Sequence, residues 1–102
     1  MRGLDGGIAM FAQVPTDLNK VKKEDLNAEM LRFGMIAELD AISFYEQMAA
    51  MTTDPGIRKV MLDIAKEEKT HAGEFQALLL KIDPQQNKEL EAGRREVEEL
   101  TG

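Results

Sequence analysis

Glu68-Lys69-Thr70-His71 holds the chain's only histidine and sets it in an apolar row of helical spacing. Counting back from Glu68, Ile64, Met61 and Ile57 recur; counting forward, Ala72, Phe75, Leu79 and Ile82 continue the row. Residues three apart on a helix share a face, so Glu68 and His71 are expected to point together at the core. A carboxylate and an imidazole set among apolar side chains need a partner, and a metal ion supplies one.

One helix earlier the pattern repeats. Between Glu24 and Thr52, the residues Glu29, Arg32, Asp40, Ser43 and Gln47 form a polar arc interrupted only by Ile36. At roughly 100° per residue, Glu38 lies nearly opposite that arc, on the side of Leu31, Met35, Ile42 and Tyr45. Glu38 is thus a second carboxylate aimed inward, with Tyr45 two turns further along the same line.

Thr53-Asp54-Pro55-Gly56 separates the two helices, with Asp54 as N-cap and Pro55 in the first turn, where proline is tolerated. So short a connection makes the helices antiparallel neighbours. Glu38 lies sixteen residues before Asp54 and Glu68 fourteen after it. At a rise of 1.5 Å per residue both sit roughly 20–25 Å from the turn, at one height near mid-helix.

The bulk properties narrow the chemistry. A chain of 102 residues makes one small domain at most, and it contains no stretch fit to span a membrane. A net charge of −6 argues against nucleic-acid or anionic-membrane partners. With no cysteine, disulfides and thiolate-held metal centres are excluded, so any metal takes oxygen and nitrogen ligands. Arg2 and the brief Ile8-Ala9-Met10-Phe11 patch are too short for a secretory signal, and a cytoplasmic location is expected.

Residues 1–22, rich in glycine at positions 3, 6 and 7 and without a period, are expected to form a flexible arm. Residues 23–82 read as a helical hairpin: helix one from about Lys23 to Thr52, helix two from Pro55 to Ile82. Asp83-Pro84-Gln85-Gln86 repeats the helix-start signal and opens a short, strongly charged helical segment over 83–102. There is no strand-like alternation. The apolar arc of helix one covers roughly 240°, whereas one neighbour covers a stripe of about 100°. The hairpin is therefore expected to associate, and two hairpins make a four-helix bundle.

Association would complete a metal site. A two-fold dimer offers four carboxylates and two imidazoles from Glu38, Glu68 and His71. That is the ligand inventory of di-iron and di-manganese carboxylate bundles, and four carboxylates offset two divalent cations. Oxygen and nitrogen ligation with open positions suits iron, with manganese the alternative, better than a closed zinc site.

Ala37-Glu38-Leu39-Asp40-Ala41 with Phe44-Tyr45, then Thr53-Asp54-Pro55, then Glu67-Glu68-Lys69-Thr70-His71, resembles the encapsulated ferritins over about residues 24–100. These are short ferritin-like proteins housed in encapsulin nanocompartments. The resemblance implies an all-α fold in which dimers of hairpins form the bundle and join into rings, typically decamers. It implies a ferroxidase that oxidises Fe(II) with dioxygen at a di-iron centre shared across the dimer, supplying iron for storage in an encapsulin shell. Carried over, Glu38, Glu68 and His71 are the iron ligands, two irons per dimer, with Tyr45 beside the centre. Ala37 stands where some members have a second glutamate thought to draw iron in; Asp40 and Glu67 remain as acidic residues for that role. Phe44 falls where some relatives carry tryptophan. Glu99-Leu100-Thr101-Gly102 shows no likeness to the family's targeting peptide, and in some relatives this domain is fused to the shell protein.

Blander readings compete residue by residue. Glu-x-x-His by itself is usually an exposed i,i+3 pair, and here its apolar row and its level with Glu38 argue otherwise. Tyr45 reads equally as a core tyrosine bonded to a glutamate or as a redox neighbour. The seven methionines read as gap-filling core residues. Asp63, Glu67 and Glu74 read first as a solvated flank. Other uses of the hairpin are peroxide reduction in the rubrerythrin manner, a structural metal clamp, and a metal-free adaptor.

Overall fold

A computed structural model describes residues 18–102. The expected flexible arm over 1–22 lies, up to residue 17, outside the described residues. Two short 3-10 turns, Leu18–Lys20 and Lys23–Asp25, lead into α1, Leu26–Met51. Then follow α2, Pro55–Ile82, and α3, Pro84–Thr101, with no strand among the described residues.

Helical backbone starts with the 3-10 turn at Lys23, near the expected start, and the first α-helical turn begins at Leu26. Asp25 donates its N–H to the Lys22 carbonyl, an i→i+3 bond, and its side chain caps nothing. Three-residue turns of this kind are common where a helix starts without a side-chain cap.

The other boundaries are set by side chains. Asp54 accepts from the Ile57 N–H at 2.8 Å, capping α2, and Pro55 follows it at the first helical position. On the other side of the turn, Arg58 reaches back to the end of α1. Its Nε donates to the Ala49 carbonyl at 3.0 Å and its Nη2 to the Thr52 carbonyl at 2.6 Å. These serve carbonyls left over at the end of a helix. Asp83 is the single residue between α2 and α3, and its Oδ1 accepts from the Gln86 N–H at 3.0 Å.

α1 and α2 form the antiparallel hairpin, and α3 turns away from it. The principal extents are 45 × 43 × 22 Å, and the thickness equals about two helix diameters. The radius of gyration is 16.8 Å, against roughly 13 Å for a compact chain of about a hundred residues. So open a shape leaves little interior: the buried apolar residues are Ala49, Ala65 and Leu79. Ala49 near the turn and Ala65 toward mid-helix are small enough to let the two helices approach. Met30, Leu39, Val60, Leu78, Ile82, Val97 and Leu100 all remain exposed. Burying one such side chain contributes about 1.5–3 kcal/mol, so covering these residues would be a substantial gain.

On α2 the open surface has a direction. Val60, His71 and Leu78 are spaced by three and then two helical turns and lie on one line. Val60 and Leu78 are exposed apolar residues. The chain's only histidine therefore sits in an uncovered stripe with Val60 and Leu78 toward its ends and the exposed Glu67 at its flank.

Candidate metal centre

The helix–helix contact that carries the site runs down the hairpin in steps. Nearest the turn, Arg58 meets Ala49. At mid-height, Glu38 of α1 meets Glu68 and His71 of α2. One turn further from the loop, Gly34 lies against Phe75: a Cβ placed on Gly34 would meet three atoms of the Phe75 ring at 3.1 Å. A glycine here lets α1 approach the ring directly below the ligands. Further still, Arg32 reaches Asp83 at 2.9 Å. The chain direction reverses at Asp54, so the near-equal spacings from it to Glu38 and to Glu68 bring the two carboxylates level.

His71 Nδ1 lies 2.8 Å from an oxygen of Glu38 and 2.8 Å from an oxygen of Glu68. One candidate ligand atom from each of the three residues falls within 4.8 Å of the other two. The Glu38 and Glu68 side chains are 16% and 18% exposed, the His71 side chain 49%. The three were expected in the interior; in the single hairpin they stand at its edge. Only α1 and α2 cover them, and their open side is the apolar stripe of Val60 and Leu78.

A proton on Nδ1 satisfies both carboxylates at once, so it stands where a cation would. The hydrogen bond with Glu68 is the largest cause holding the His71 pKa above the ordinary histidine value. Partial desolvation opposes the rise, while the Glu38 hydrogen bond and the charges of both carboxylates add to it. With His71 neutral, the cluster carries two negative charges, the complement of one divalent cation. Two carboxylates and an imidazole offer the oxygen and nitrogen donors of a site for a divalent metal ion.

The remaining expected residues fall outside this cluster. Tyr45 is half-buried, and its ring packs edge-on against that of its neighbour Phe44, centroids 5.2 Å apart and planes at 77°. Asp40 is half-buried on the polar side of α1, and Glu67 is exposed on α2. Met61 is half-buried, seven residues before Glu68 on the same face. Sequence reasoning did not find the Gly34–Phe75 contact. Yet Gly34 precedes Glu38 by one turn and Phe75 follows His71 by one turn, and in an antiparallel pair those positions meet. It also missed the exposed Lys69–Glu46 ion pair at 3.0 Å, which ties α2 to α1 above the site.

The chain is similar to proteins of one family. The profile of the EncFtn-like family matches residues 13–93. A ferritin-like–encapsulin shell fusion protein of Pyrococcus furiosus is 56% identical over 96 residues, 91% of this chain and 28% of the relative. The encapsulin nanocompartment cargo protein EncC of Myxococcus xanthus is 32% identical over 59 residues, 58% of this chain and 45% of the relative. The chain thus spans less than half the length of either. Among solved structures, the crystal structure of the encapsulated ferritin domain from Pyrococcus furiosus superposes with a TM-score of 0.77 at 51% identity. The match covers 90% of this chain and 96% of that one.

Proposed function

This chain belongs to the EncFtn-like family, and on that premise we propose that it is a ferroxidase of an encapsulin compartment, oxidising Fe(II) to Fe(III) with dioxygen. The observation that carries the proposal is the contact of His71 Nδ1 with both Glu38 and Glu68 at 2.8 Å, on the uncovered face of the hairpin. Each chain then holds a half-site. Two chains related by a two-fold axis through mid-hairpin bring two half-sites together as they cover the apolar stripe. The resulting dimer is a four-helix bundle with four carboxylates and two imidazoles, and such dimers join into a ring, a decamer by family likeness.

The roles of the residues follow from their chemistry. Glu38 and Glu68 supply charge that favours Fe(III) over Fe(II), which lowers the energy of the oxidised product. His71 ligates as the neutral ring and must first release the proton shared with the two carboxylates. Two irons held close together can each give one electron to dioxygen, so the pair acts as a two-electron donor. Tyr45 and Phe44 form an aromatic pair further along α1, and Asp40 and Glu67 are the acidic residues that family likeness offers for drawing iron in. Iron is the substrate in this reading. A bundle four helices thick has no cavity for mineral, so the ferric product leaves for a surrounding shell. The shell fusion and the encapsulin cargo protein among the relatives support that destination.

The test is native mass with and without anaerobic Fe(II), followed by admission of air. One iron per chain in an even-numbered assembly, with rapid oxidation, is the expected result. Glu68→Ala and His71→Ala abolish the rapid phase; normal rates in both variants remove this site from the reaction.

A further inference from the structure

Asp83 is a one-residue elbow, and every polar group it has is engaged. Its N–H donates to the Leu79 carbonyl at 2.9 Å, closing the end of α2. Its carbonyl accepts from the Asn87 N–H at 3.3 Å, inside the first turn of α3. Its Oδ1 caps α3 through the Gln86 N–H, and its Oδ2 accepts from Arg32 Nη2 at 2.9 Å, across from α1. Pro84 follows immediately: it has no N–H with which to continue α2, and it bars Asp83 from the helical region. The observed φ of −130° and ψ of 84° obey that restriction. Between two rigid helices only these two dihedral angles are free, and the carboxylate is shared between α3 and α1.

We propose that the Arg32–Asp83 pair is a lock that fixes the direction of α3 relative to the hairpin, and that this direction decides which assembly the chain can close. The cap by itself does not require Arg32; the ion pair by itself does not require the helix start. Their meeting on one carboxylate couples the two. A second contact competes for Arg32, since Glu29 Oε1 lies 3.6 Å from its Nη1. Asp83 holds the shorter distance and the less exposed carboxylate, 23% against 30%.

The lever is long enough for the lock to matter. α3 has 18 residues, about 27 Å of helix. A rotation of roughly 20° at the elbow moves its far end about 9 Å, close to a helix diameter. Leu90, Val97 and Leu100, which α3 leaves exposed along one side, would move with it. A closed ring repeats one subunit angle at every joint, so a small error multiplies around the circle. This inference rests on the self-association proposed above for its consequence, and on the elbow contacts alone for the lock.

The experiment separates those two levels. The chain has no cysteine, so Lys66→Cys on α2 and Glu96→Cys on α3 give two unique labelling sites at exposed positions. Spin-labelled chains diluted in unlabelled protein report the distance between hairpin and α3 within one chain. The expected distribution is single and narrow for the parent. It broadens and shifts in Arg32→Ala and in Asp83→Asn, with helical content unchanged because asparagine caps a helix as well as aspartate does. Both variants also move the native mass toward smaller species while retaining one iron per chain. A distribution already broad in the parent, or as narrow in both variants as in the parent, overturns the lock. A narrow distribution in a parent that is monomeric with and without iron leaves the lock standing and refutes the assembly reading.

Discussion

Gly34→Ala is a small change placed where it says most. In an exposed helix interior, glycine to alanine stabilises by about 1 kcal/mol, because alanine loses less backbone freedom on folding. At Gly34 the new methyl would stand 3.1 Å from the Phe75 ring, where carbon atoms prefer roughly 3.5–4.0 Å. Something must give by about half an ångström. Overpacking of this kind costs about 1–3 kcal/mol. Phe75 is half-buried, so its ring can tilt toward the open face, which places the cost at the low end of that range. The net expectation is a loss of about 0–1 kcal/mol. Gly73→Ala supplies the reference: it lies in the same hairpin, and its added Cβ meets nothing within 4 Å. It should raise stability by about 1 kcal/mol, some 4–8 °C in Tm for a domain of this size. The difference between the two variants, about 1–2 kcal/mol, isolates the Phe75 contact. Because Gly34 and Phe75 lie one turn from Glu38 and His71, the same wedge also spreads the ligands, and iron affinity should fall in Gly34→Ala alone. Thermal unfolding of the metal-free protein and anaerobic Fe(II) titration are the assays. If Gly34→Ala is as stabilising as Gly73→Ala and binds iron as the parent does, the contact does not set the helix spacing and the reasoning fails.

Other consequences are simpler. Asp54→Ala removes the α2 cap and should cost about 1 kcal/mol in unfolding, with Asp54→Asn near neutral. Arg58→Ala releases the Ala49 and Thr52 carbonyls; because that turn is partly solvated, water replaces much of the loss, and a cost of about 1–2 kcal/mol is expected in the same measurement. His71 has a raised pKa in the metal-free fold, so its contribution to stability is fully present below the unfolded value of about 6.5 and is lost as pH rises through the higher folded value. Iron binding runs the other way, since the ion displaces that proton: affinity should fall as pH drops through the raised pKa. Unfolding and Fe(II) titration across pH, with His71→Ala abolishing the first trend, check both signs.

The meeting of Glu38, Glu68 and His71 could be read from the chain because three local signals agreed. The Asp54-Pro55 helix start located the reversal, the period of 3.6 gave each side chain its direction, and the near-equal counts from the turn gave the height. Each depends on nearest neighbours in sequence. What escaped depends on which partners the fold brings together across the helices. Arg32 belongs to a polar arc and reads as a solvated charge, until α3 leaves the hairpin at an angle that brings Asp83 within reach. Gly34 reads as a weak spot in α1 until Phe75 arrives opposite it. The exposure of His71 in a single hairpin has a related reason: an apolar row in sequence says that a face is to be covered, but not by which chain.

That last point joins the site to its surroundings. A histidine between two carboxylates on a solvated helix face would be an ordinary ion pair of small worth. The same three residues between Val60 and Leu78 lie on surface that water covers at a cost. Closing a second hairpin over it gains apolar burial, but it also brings two pairs of carboxylates together in a medium where like charges repel strongly. Protons on His71 relieve only part of that charge; a divalent cation in each half-site relieves all of it. In the proposed dimer, carboxylate repulsion would oppose association without metal, and bound metal would favour association by the same factor as association favours metal binding. In that proposed dimer the apolar stripe would supply the drive to associate, the acids would make that drive conditional, and the condition would be the ion that the site is proposed to oxidise.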